Sequence, residues 1–79
     1  MKLYMEMNRI KAILLMQGRT QAYLCRMLDK SANTVSLWCT NKVQPSVDDL
    51  YRIAKLLDCK VSDLLLDEVE IELIKKDKK

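Results

Sequence analysis

At 79 residues with a formal net charge of +3, the chain has room for one core, because two cores of half this size would bury too little surface to offset chain entropy. A single Gly, a single Pro, no Phe and an apolar set dominated by aliphatic residues and Met exclude a loop-rich or all-β chain and favour a compact helical domain. With no His, and with Cys25, Cys39 and Cys59 matching no zinc spacing, neither a metal site nor any other cofactor is expected.

Residues 1–7 read as an N-terminal arm. Within KLYMEM the apolar Leu3, Met5 and Met7 alternate with other residues, which is strand period, although a frayed extension of the following helix fits the same run. Residues 8–17, NRIKAILLMQ, carry helical spacing with Ile10, Ile13 and Leu14 inward; Asn8 is placed to cap the start and Gly18 to stop the end in a left-handed conformation. Thr20 then caps a second helix over residues 21–28, with Leu24, Met27 and Leu28 on its apolar side. Ser31 caps a third over residues 32–40, with Val35 and Trp38 inward, and Asn41 supplies the left-handed stop that Gly often fills.

The loop KVQPS ends at Pro45 and at a new cap, Ser46. A fourth helix follows to residue 57 or 58, with Leu50, Ile53, Ala54 and Leu57 inward and Asp48 and Asp49 favourably placed at its positive end. Ser62 is the expected cap of a short fifth helix holding Leu64 and Leu65, with Asp63 in its first turn. Residues 67–79 are a C-terminal strand or tail. Their EVEIELIK run again alternates, with Val69, Ile71 and Leu73 on one face, and a lone strand needs a partner, either the N-terminal arm or a second chain. The closing KKDKK reads as a solvated tail.

The second and third helices carry the chemistry. Their connection is too short for antiparallel packing, so the third helix protrudes, and its outward face is Ala32, Asn33, Ser36 and Leu37, small or polar and uncharged. Such a face suits a helix that enters a groove and touches base edges. Residues 1–46 hold seven cations against two anions, a balance of +5, while the rest sums to −2, so the half with the motif is the half a polyanion would attract. Trp38 sits on the inward side beside Val35 and reads as core, and the cysteines read as small buried apolar residues.

With those helices placed, the sequence resembles the Cro and phage-repressor (XRE-like) family of helix-turn-helix DNA-binding domains. The resemblance rests on Thr20 and Gln21, Leu24, Leu28, Ser31, TVSLW at 34–38, QPS at 44–46, Leu50, IAKLLD from Ile53 and VSDLL from Val61. It implies the family's all-α, compact five-helix lambda-repressor-like fold over residues 8–66, with the two ends as candidate short β-strands. It further implies that Gln21 contacts the phosphate backbone, that Ala32, Asn33 and Leu37 lie at base edges, and that Ser36 and Thr40 lie near phosphate or the groove wall. Lys42 and Gln44, in the loop after the third helix, are placed for phosphates. Asn33 is able to offer its amide bidentately to adenine, whereas Ala32 and Leu37 offer only apolar contact, best suited to a thymine methyl. The sequence departs from the family at Asp29, where Gly is common in the turn, and at Cys39, Thr40 and Asn41, where Glu-Asn-Gly is common.

The reading that follows is a transcriptional regulator, a repressor, that binds double-stranded DNA as a homodimer, since a recognition helix without Arg or Lys gains from a second half-site about 34 Å away. An interaction module, such as an antitoxin or adaptor that uses a helical face or the terminal strand to bind a protein partner, is the alternative. An enzyme is not expected, because no Ser or Cys has a recognisable activating partner and no Gly-rich phosphate loop is present. No apolar run approaches membrane-spanning length, and a reducing cytoplasm, with association to the nucleoid, is the expected compartment.

Overall fold

The computed structural model describes residues 6–67. It is all-α: helices α1 (Ile10–Met16), α2 (Gln21–Leu28), α3 (Ala32–Cys39), α4 (Val47–Leu56) and α5 (Val61–Leu64) surround one core. The core draws on every helix, with Ile10, Leu24, Val35, Ile53 and Leu64 fully buried. Trp38 is 3% exposed, which makes it a core residue.

The caps read from sequence mostly act as expected. The hydroxyl oxygens of Thr20, Ser31 and Ser46 accept from the backbone N–H of Tyr23 (3.3 Å), Thr34 (3.1 Å) and Asp49 (3.1 Å). Each satisfies one of the free donors of a first turn. Gly18, Asp29 and Asn41 adopt positive φ (68°, 54° and 62°) at the ends of α1, α2 and α3. Asp29 therefore fills the position where Gly is common, in the left-handed conformation that Asp tolerates.

Three expectations are corrected and one is extended. Helix α1 begins at Ile10, with Arg9 at the cap position and no side-chain cap there. Asn8 stands one residue further out, where its Oδ1 accepts from the Ile10 N–H at 3.0 Å. Met27 is 54% exposed rather than inward, because Leu24 and Leu28, one turn apart on α2, already fill the core-facing line. Ser62 lies inside α5 and does not cap it; Lys60 holds the cap position, and the Asp63 carboxylate reaches back to accept the Lys60 N–H at 2.9 Å. Asp49 is more than a helix-end charge. It is buried and takes Lys30 Nζ at 3.6 Å and Arg52 Nη1 at 3.5 Å, while Arg52 Nη2 donates to the Leu28 carbonyl at 3.3 Å. Helix α4 thereby holds the C-terminal end of α2 and the turn that follows it.

The two ends of the described chain meet. Asn8 and Leu65 form an antiparallel bridge, with Arg9 N–H donating to the Leu64 carbonyl and Leu66 N–H to the Met7 carbonyl, both at 2.8 Å. Of the strand expected over residues 2–7, residues 2–5 lie outside the described residues and residues 6–7 are not in a strand; the run from Glu68 also lies outside them.

Candidate nucleic-acid interface

Helix α3 is fixed from within by Val35, Trp38 and Cys39, which leaves the opposite side outward. Ala32, Asn33 and Ser36 are exposed there, and Leu37 is half-buried at the edge of the same face. These residues fall on one side because positions three and four apart on a helix are neighbours. Among the described residues nothing hydrogen-bonds the Asn33 amide, so both its donors and its acceptor are available to a ligand. Leu37 presents only hydrocarbon.

The first turns of α1, α2 and α3 hold no acidic residue, whereas α4 carries Asp48 and Asp49 and α5 carries Asp63 in that position. An acid in the first turn complements the helix dipole but would repel phosphate. The two helices of the motif thus keep their positive ends clear. Gln21, the first residue of α2, is half-buried and lies at one of these ends. Beside it, the Arg19 guanidinium lies 4.4 Å from the centre of the Tyr23 ring and donates to Gln17 Oε1 at 3.3 Å. Tyr23 packs against the core, so it orients a cation at the start of α2. No motif or resemblance singles out either residue; their spacing of four positions across the start of a helix is the signal that points to the pairing.

The remaining predicted contacts differ in how free their side chains are. The Thr40 hydroxyl donates to the carbonyls of Ser36 (2.9 Å) and Leu37 (3.3 Å), so in this arrangement its oxygen is left as an acceptor rather than a phosphate donor. Lys42 is exposed, and the N–H groups of Lys42 and Val43 both donate to the Leu37 carbonyl at 3.0 and 3.2 Å, which folds the loop against the end of α3. Gln44 is turned inward. Its Oε1 accepts from Asn8 Nδ2 at 2.7 Å and its Nε2 donates to Asn41 Oδ1 at 3.0 Å.

Burial pushes the Cys39 thiol above its ordinary range, with Lys11 opposing and Cys25 adding to the rise, and Cys59 is raised first by burial and then by Asp63 and Asp58. Among the described residues no group of ligating side chains could hold a metal ion, and no helix is long and apolar enough to cross a membrane.

A protruding, uncharged helix behind a capped turn, flanked by cations, defines a helix-turn-helix domain. The family model for Helix-turn-helix matches residues 10–64, so the chain belongs to this family, in its XRE-like branch. It is also similar to a crystal structure of a candidate DNA-binding protein from Bacteroides fragilis, at 44% sequence identity and a TM-score of 0.73, over 75% of this chain and 95% of that one. No curated protein matches the sequence. The family and this neighbour support DNA as the partner of the domain.

Proposed function

We propose that this DNA-binding domain is a sequence-specific transcriptional regulator that acts as a homodimer on a near-palindromic operator, inserting α3 into the major groove. The observation that carries the reading is the exposed, unpaired Asn33 amide on the outward face of α3, flanked by Ala32 and by the apolar edge of Leu37. An amide so placed is able to give and accept one hydrogen bond each with adenine, and its apolar neighbours match thymine methyl groups. Gln21 and Lys42 serve the backbone, where contacts set register without reading sequence. Ser36 and Thr40 line the groove wall, and Gln44 acts through the loop it braces.

With no Arg or Lys on α3, one half-site offers few strong contacts, and two copies on successive major grooves about 34 Å apart supply the remainder. Repression requires only that the bound pair occupy its operator. Selection of bound duplexes from a random pool tests the proposal: it should return two inverted half-sites one helical turn apart with a preferred adenine in each. Recovery of no preferred sequence over random duplex would overturn it.

A further inference from the structure

Asn41 ends α3 with φ 62°, a position for which Gly is the least costly residue. Backbone tolerance alone does not account for what its side chain does. Asn41 is buried, and its Oδ1 accepts from Met7 N–H (2.8 Å), Asn8 N–H (2.9 Å) and Gln44 Nε2 (3.0 Å), while its Nδ2 donates to the Asn8 carbonyl at 3.1 Å. Asn8, also buried, answers from the start of α1: its Nδ2 donates to the Trp38 carbonyl at 3.0 Å and to Gln44 Oε1 at 2.7 Å. Two amides from distant parts of the chain therefore pin the last turn of α3, the left-handed stop and Gln44 to one another.

We infer that Asn41, with Asn8 as its partner, is a positioning residue for DNA binding. It fixes the path of residues 41–44 against α3 and so sets where Lys42 meets the sugar–phosphate backbone. This role rests on the reading of α3 and the following loop as the DNA-facing surface. Between Asn41 and the buried Pro45 the loop has no apolar anchor, since Lys42 and Val43 are both exposed, and hydrophobic packing is non-directional in any case. Hydrogen bonds supply the missing direction, because they hold donors and acceptors within about 2.7–3.2 Å and within a narrow cone. Satisfied buried amides add modest net stability but define geometry. A loop ordered before the encounter does not have to be ordered during it, and that saving appears as affinity.

The test compares the unsubstituted protein with Asn41→Gly, which keeps the left-handed backbone and removes the amide, and with Asn41→Asp, which keeps size and acceptors but sets an acceptor against the Asn8 carbonyl. Ile53→Val serves as a core variant that lowers thermal stability away from the loop. Each is titrated with its selected duplex over a range of salt, below its unfolding temperature. Both Asn41 variants should bind about tenfold more weakly, and the slope of log affinity against log salt should shrink by about 0.9 for each phosphate no longer neutralised. Ile53→Val should leave the slope unchanged. The base preference set by Asn33 should survive in all of them. If either Asn41 variant is folded and retains the original affinity and slope, the positioning role is wrong and the amide is only structural. If the unsubstituted protein prefers no duplex, the DNA-facing reading fails first and this role fails with it, a result distinct from the previous one.

Discussion

Replacing Asn33 with Ala should relax sequence preference at one base pair in each half-site while leaving the fold intact, and the structure sets the size of both effects. Asn33 is the second residue of α3, is exposed, and its side chain hydrogen-bonds to nothing among the described residues, so the substitution breaks no native side-chain hydrogen bond. Ala is the better helix former by up to about 0.7 kcal/mol, so the unfolding temperature should hold or rise slightly. The interaction removed is an amide that gives and accepts one hydrogen bond each with adenine, for which about 1–3 kcal/mol per half-site is the ordinary range. That is roughly 5- to 150-fold in affinity at one half-site, by the rule that about 1.4 kcal/mol is tenfold. Two half-sites far apart and sharing no partner groups should lose about twice that free energy. The assay is competition binding against duplexes in which each operator position is varied in turn. The variant should bind the preferred duplex more weakly and show a flattened preference at one base pair in each half-site, with the other positions unchanged. Equal weakening across all duplexes, or a fall in the unfolding temperature, would refute the assignment of Asn33 as a reader.

Three further outcomes follow from other parts of the fold. Gln21→Ala should weaken every duplex alike and reduce the salt slope by about 0.9 if the side chain organises one phosphate contact; an altered base preference in the same competition assay would contradict that role. Leu24 of α2 is fully buried in the core, so Leu24→Ala should cost about 2–5 kcal/mol in denaturant unfolding, much of the stability of so small a domain. The Cys39 thiol is raised by burial, which means the folded state prefers it protonated: its contribution is complete below the unfolded thiol pKa of about 8.5 and is lost as pH rises through the higher folded value. Stability measured across the alkaline range should therefore fall more steeply in the unsubstituted protein than in Cys39→Ala.

Local signals make most of this fold readable. Thr20, Ser31 and Ser46 mark helix starts because their hydroxyls act on N–H groups three residues away, and Gly18 and Asn41 mark ends because left-handed backbone restricts residue choice. These interactions need no knowledge of the tertiary path. The errors arise where that path decides. Met27 shares helical spacing with Leu24, yet faces outward because the core is filled by the line one step round the helix. Ser62 has the chemistry of a cap but lies inside the helix; Lys60 holds the cap position, and the Asp63 carboxylate satisfies the Lys60 N–H from the first turn. Asp49 has the sequence position of a helix-end charge, and only the approach of Lys30 makes it part of the joint between α4 and the turn before α3.

The amides show the same limit at the site itself. Asn33 and Asn41 are identical side chains at opposite ends of α3, and nothing local assigns them different tasks. Burial does. At Asn33 both donors and the acceptor remain unsatisfied by the protein, which is the condition for reading an adenine edge. At Asn41 the acceptor and one donor are taken up by Met7, Asn8 and Gln44 and the side chain is buried, so it faces no base and instead fixes neighbouring backbone. Gln44, expected at phosphate from its loop position, falls on the Asn41 side of this division because its amide is turned toward Asn8. Removing an exposed amide should therefore change which sequence is bound, whereas removing a buried one should change how well the loop meets any sequence.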